Sequence, residues 1–143
     1  MEGKVVWKEG MAFEALLNGH SFMVDANKAV GGTDQGPSPK GLMLIALAGC
    51  TAMDVVSILK KMKEPVEGFE VETTAVTADE HPKKILEMMV TYRLTSKDKL
   101  CKDKVKRAVE LSEDRYCGVS ATLKPQVKIS HEIYINGEPV VAE

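Results

Sequence analysis

The run Ser38-Pro39-Lys40-Gly41-Leu42-Met43-Leu44-Ile45-Ala46-Leu47-Ala48-Gly49-Cys50-Thr51-Ala52-Met53 decides how the rest of the chain is read. Ser38 can cap a helix, and Pro39 suits the first helical position, where its missing N–H would have no intrahelical partner anyway. A helix is predicted from about Pro39 to Lys63, with Pro65 marking its end. From Gly41 to Cys50 it is apolar on every face, the pattern of a helix buried all round. Beyond that, Val55, Val56, Ile58, Leu59 and Met62 alternate with Asp54, Ser57, Lys60, Lys61 and Lys63, so the helix should emerge at the surface. In a chain of this size, burial on all sides needs cover from both sides, and a second subunit is a natural source of it.

Working outward, the upstream residues read as strands. Val5, Val6 and Trp7 are β-formers, and Asn18-Gly19 is a turn signal between the runs Met11 to Leu17 and His20 to Val24. A hairpin or short meander is expected. Gly31 to Pro37 is loop chemistry. Downstream, Phe69 to Ala78 alternates, with Phe69, Val71, Thr73, Ala75 and Thr77 on one side and Glu70, Glu72 and Thr74 on the other. Asp79-Glu80-His81-Pro82 reads as a turn into a second strand, Ile85 to Thr95. Leu100 to Tyr116 fits a helix that Gly118 should stop. Val127 to Ile135 alternates again and closes a sheet, and Asn136-Gly137 begins the tail. The order is that of an α+β protein: antiparallel sheets, a long buried central helix and a second helix, with residues 1–143 as one domain.

Composition narrows the function classes. The chain has 143 residues, 44% hydrophobic and 28% charged, with a net charge of −2 and no basic stripe, so nucleic acid is not an expected partner. No uninterrupted apolar run approaches the roughly 20 residues of a membrane span, and no membrane partner is expected. The first residues, MEGKVVWKEG, lack the apolar stretch of a secretory signal, so a cytoplasmic location is expected. Three cysteines in a reducing compartment do not suggest a disulfide framework.

Each cysteine is therefore weighed singly. Cys50 lies inside the apolar helix, where a small core residue is the ordinary reading; Gly49 beside it hints at a close approach. Cys117 follows Arg115 and Tyr116 and precedes what could be another helical turn, Gly118-Val119-Ser120. A cysteine near a helix N-terminus and a cation has a lowered thiol pKa. Cys101, in a charged stretch, reads as a bystander. His20, His81 and His131 are scattered and no Cys/His pair has ligand spacing, so no metal is expected. No cofactor is expected either: there is no phosphate-cradling glycine pattern, and no Gly-x-Ser-x-Gly marks a hydrolase.

Two segments together carry a family resemblance. Gly36-Pro37-Ser38-Pro39, continued by Leu42 to Lys61, resembles the central helix of OsmC/Ohr-type thiol proteins. Ala108 to Ser112, continued by Tyr116-Cys117-Gly118-Val119-Ser120, resembles their second-cysteine region, and the likeness is to the uncharacterised OsmC-like branch. The resemblance implies an intertwined homodimer with two sites built at the interface. It also implies peroxidase chemistry on organic hydroperoxides: Cys50 attacks the O–O bond and becomes a sulfenic acid, Cys117 resolves it as a disulfide, and an external thiol restores both.

The sequence departs from the family pattern in two places. The arginine expected from the N-terminal strands is missing, since Arg93, Arg107 and Arg115 are the only arginines, and Lys40-Gly41 stands where a glutamate follows the opening proline. Lys4, Lys8, Lys28 or Arg115 would have to supply the cation. The departures leave open a non-catalytic dimer that binds an apolar small molecule on the same scaffold, and, more weakly, a redox switch.

Overall fold

A computed structural model describes residues 1–141, which fall into two compact units, one ending at Met43 and one beginning at Leu44. In the first unit, β1 (Gly3–Glu9), β2 (Ala12–Leu17) and β3 (His20–Val24) form an antiparallel meander in that order. The β2–β3 turn is Asn18-Gly19, with φ of 52° and 80° and Leu17 opposite His20. A two-residue loop of type I′ needs positive φ at both central positions, and Asn-Gly is a pair that accepts it at low cost.

Asp25, buried at the end of β3, organises the loop that follows. Its carboxylate accepts hydrogen bonds from the N–H groups of Ala26, Thr33 and Gln35 and from the Thr33 hydroxyl, at 2.7 to 3.2 Å. Gly32 has no substitute in this loop, because a Cβ there would collide with the backbone of Ala26.

The second unit is built around α1 (Pro39–Lys61), which begins just before it. Ser38 Oγ accepts the Gly41 N–H at 3.1 Å, the cap its side chain promises. The helix ends earlier than Lys63, because Lys63 takes φ of 58° and turns the chain before Pro65. α1 is long and apolar enough to cross a membrane by length and composition, a test that core helices of soluble proteins also pass.

Four strands run β4 (Gly68–Thr77), β5 (Ile85–Thr95), β6 (Lys128–Ile135) and β7 (Glu138–Pro139) side by side. The alternation of β4 is as expected: Phe69, Val71, Thr73 and Ala75 turn inward and Glu70, Glu72 and Thr74 outward, while Thr77 is exposed. β5 is an inner strand, with Met88, Val90, Tyr92 and Leu94 fully buried. They share one core with Leu47, Val55 and Leu59 of α1 and with Val105, Ala108 and Val109 of α2 (Lys102–Leu111). The α+β architecture is the one expected.

Four details differ. β5 and β6 are parallel, because α2 and α3 (Gly118–Leu123) lie in the connection between them and return the chain to the same end. The segment read as one helix to Tyr116 breaks at Leu111 into a π-turn, Ser112–Tyr116. Gly118 starts α3 rather than stopping a helix. Asn136-Gly137 is a second hairpin turn, with φ of 50° and 82°, that folds β7 back on β6 instead of releasing a tail.

The first half of α1 is also buried on one face only. Leu47 and Ala48 are buried, whereas Met43 is 39% exposed and Ile45 67% exposed. The apolar composition there exceeds what this chain covers.

Candidate functional site

Cys50 lies half-buried on α1, and Asp54 lies one turn further along the same helix. A Cβ at Gly49 would meet nothing within 4 Å, so among the described residues no close neighbour accounts for that glycine. Cys117 comes from far along the unit's sequence, and the π-turn delivers it. The Cys117 N–H donates to the Ser112 carbonyl at 2.8 Å, five residues back, and the backbone then leaves the helix at φ −72°, ψ 101°. The wider turn shifts every later side chain around the axis, which is why π-turns recur at functional sites.

The two cysteines expected to work together are brought together. Cys50 Sγ, Cys117 Sγ and a carboxylate oxygen of Asp54 all lie within 4.8 Å of one another. Cys117 also caps α3, its sulfur accepting the Ser120 N–H at 3.3 Å. Cys101 stands apart as an exposed residue at the start of α2, its N–H donating to Glu64.

Behind the thiols runs a buried chain of hydroxyls. Tyr92 Oη and Thr51 Oγ1 are 2.7 Å apart, Thr51 Oγ1 and Ser112 Oγ 2.9 Å, and Ser112 donates to Asp54 Oδ2 at 3.0 Å. Each hydroxyl has one proton to give. Because Ser112 spends its proton on Asp54, Thr51 must donate to Ser112, and Tyr92 to Thr51. Every proton in the chain therefore points toward the carboxylate. Tyr92, stacked on Phe69 at 6.5 Å between ring centroids, is held neutral, its pKa raised chiefly by burial.

The electrostatics differ from the sequence expectation. Cys117 does sit at a helix N-terminus, yet its thiol is pushed up to about 11. Burial is the main cause, the Cys50 thiol and the Asp54 charge add to it, and the Ser120 N–H only partly opposes them. The arginines are engaged elsewhere: Arg93 lies over the Tyr134 ring, Arg107 pairs with Glu110, and Arg115 lies over the Tyr116 ring with 5.5 Å to its centroid. Lys8, another candidate cation, pairs with Glu14 within the first unit. Among the described residues no ion pair engages Asp54.

Asp54, Ser112, Thr51 and Tyr92 were not singled out from the sequence. Only Asp54 left a trace there, four residues after Cys50 and so on the same helix face. Metal binding was set aside for want of a Cys/His pair along the chain, a test that cannot register three ligand-type side chains gathered from α1 and the end of the π-turn.

A family model described as "OsmC-like protein" matches residues 32–132. The chain belongs to the OsmC-like family. It is similar to the protein YhfA of Escherichia coli strain K12, 36% identical over 132 residues, covering 92% of this chain and 95% of YhfA. A hypothetical protein from Aquifex aeolicus VF5 superposes with a TM-score of 0.79 at 26% identity, covering 94% of this chain and 96% of that one. More distant in sequence is a Legionella pneumophila protein described as an organic hydroperoxide resistance protein OsmC. It has a TM-score of 0.69 and 12% identity over 94% of each chain, a likeness of fold alone. Hydroperoxide-resistance proteins thus share the OsmC-like fold seen here.

Proposed function

We propose that this OsmC-like protein is a thiol-dependent peroxidase for organic hydroperoxides. The observation that carries the reading is the approach of the Cys50 and Cys117 sulfurs to within 4.8 Å. Cys50, the more accessible of the two, is the attacking thiol. Its thiolate takes the distal oxygen of ROOH; the O–O bond breaks, ROH leaves with a proton, and Cys50 becomes a sulfenic acid. Cys117 displaces water from that sulfur to form the disulfide, and an external dithiol reduces it. A buried second thiol suits this role, because it acts only on a neighbour already oxidised.

The same reading assigns the site to a homodimer, with the partner covering Ile45, Met53 and Val56, all exposed on α1. It also assigns the protein to the cytoplasm, where three free thiols persist. Light scattering of the purified protein checks the first, and fractionation of cells expressing it the second.

The deciding experiment is peroxide consumption. Purified protein with a dithiol should consume cumene hydroperoxide, and Cys50→Ser should abolish turnover. Without added thiol, Cys117→Ser should consume one equivalent and leave Cys50 as a sulfenic acid. Equal turnover by Cys50→Ser refutes the assignment.

A second reading, a non-catalytic dimer that binds an apolar small molecule, is favoured by one observation. A cavity of about 420 Å³ reaches the site at Asp54, lined also by Ile58, Met62, Leu111 and Tyr116 among others. A co-purified apolar ligand, together with thiols inert to peroxide, would select it.

A further inference from the structure

Three groups that each carry negative charge when deprotonated converge at this site, and no cation among the described residues is ion-paired with its carboxylate. We propose that Cys50, Asp54 and Cys117 form a binding site for a thiophilic divalent cation, zinc being the fitting ion, with a fourth coordination position left open.

The geometry supports this in three ways. First, zinc takes sulfur at about 2.3 Å, so two thiolates on a tetrahedral ion stand about 3.8 Å apart. Ligand atoms already within 4.8 Å reach that spacing by small side-chain rotations. Second, the ligand type is selective: two sulfurs and one carboxylate favour zinc or cadmium over magnesium or calcium, which prefer all-oxygen sets. Third, the carboxylate has an outer shell. Ser112 donates to Asp54 Oδ2 at 3.0 Å and is itself held by Thr51 and, through it, Tyr92, an arrangement that orients a ligating carboxylate.

Binding needs no electron transfer. The ion sheds hydration water, two S–M bonds and one O–M bond form, and the two thiol protons leave to solvent. The consequence for catalysis rests on the peroxidase reading. Thiolates held by the ion cannot close the disulfide, so metal and peroxide compete for the same sulfurs, and oxidation of the pair releases the ion.

The probe is cobalt(II) chloride titrated into the reduced protein. One equivalent per chain should bind with thiolate-to-cobalt charge-transfer absorption, and zinc chloride should displace it. Cys101→Ser should keep the band and Cys50→Ser and Cys117→Ser should lose it. Ser112→Ala should weaken binding by about tenfold. In the unmodified protein, which guards against misfolded variants, zinc should slow alkylation of Cys50 and Cys117 while leaving Cys101 unchanged. Absence of a stoichiometric band, its survival in Cys50→Ser, or its loss in Cys101→Ser overturns the site. A protein that binds cobalt yet ignores peroxide upholds the metal site and sinks the peroxidase; peroxide turnover without a cobalt band does the reverse.

Discussion

Asp25 in the first unit and Asp54 in the second both sit among hydroxyl and amide groups, yet their lone pairs are used differently. Asp25 takes four hydrogen bonds from Ala26, Thr33 and Gln35, and its pKa is lowered. Burial alone would raise it, and the hydrogen bonds together outweigh burial. Asp54 accepts one bond among the described residues, from Ser112, and its remaining capacity lies beside two thiols. A carboxylate whose acceptor sites are filled by the backbone holds a loop in shape. A carboxylate with acceptor sites to spare is available to a proton or an ion. The difference separates a structural cluster from a chemical one without appeal to function.

Substitutions at the two carboxylates test that distinction directly. The largest effect belongs to Asp25→Ala, which strips three backbone N–H groups and a hydroxyl of their acceptor at once. Thermal melting should show a clear loss of stability, with amide exchange in residues 25–37 accelerating most. The wild-type contribution has a defined sign with pH. Because the folded pKa is lowered, it is fully present above the unfolded value of about 3.9 and is lost as pH falls through the lower folded value. An acid titration in which Asp25→Ala and wild type lose stability in parallel would break the comparison.

Thr51→Val comes next. It leaves the buried Tyr92 and Ser112 hydroxyls short of a partner, at a cost of about 2 to 4 kcal/mol by denaturant unfolding. Asp54→Asn should do the opposite of Asp25→Ala: stability changes by less than about 1 kcal/mol, since one hydrogen bond is affected. Chemistry should change instead. The Cys117 thiol, held up to about 11 chiefly by burial with the Asp54 charge adding to it, should ionise at slightly lower pH, read by pH-dependent alkylation of a Cys101→Ser background.

The smallest effect is at His131, whose ring pairs with Glu113 at 3.0 Å and whose pKa is raised by that hydrogen bond. Its contribution is fully present below the unfolded value of about 6.5 and lost as pH rises through the higher folded value. The pair is partly solvated, so the gain is a few tenths of a kcal/mol, and Glu113→Gln should flatten the slope in that window.

How much of this was legible in the chain follows from range. The Ser38-Pro39 cap, the Asn18-Gly19 turn and the inward side of β4 depend on residues a few positions apart, and each formed as read. Asn136-Gly137 has the same local chemistry, but whether a tail or a strand follows it depends on whether β6 offers an edge. The π-turn could not be read from periodicity, because a shift of one residue over the last five positions of a short helix is too small to stand out from an ordinary helical pattern. The thiol pKa of Cys117 went against expectation for a related reason: helix position is local, burial is not.

By itself, then, the sequence determined the α+β order of elements, the two cysteines worth following and the family they belong to. Those are properties of short segments, set by backbone preference and by motif. Only the tertiary structure decided that Asp54, Ser112, Thr51 and Tyr92 join the thiols, that β6 runs parallel to β5, and that Ile45, Met53 and Val56 of α1 lie open. Proximity and desolvation depend on what the rest of the chain places around each group, and neither can be read from neighbours in sequence.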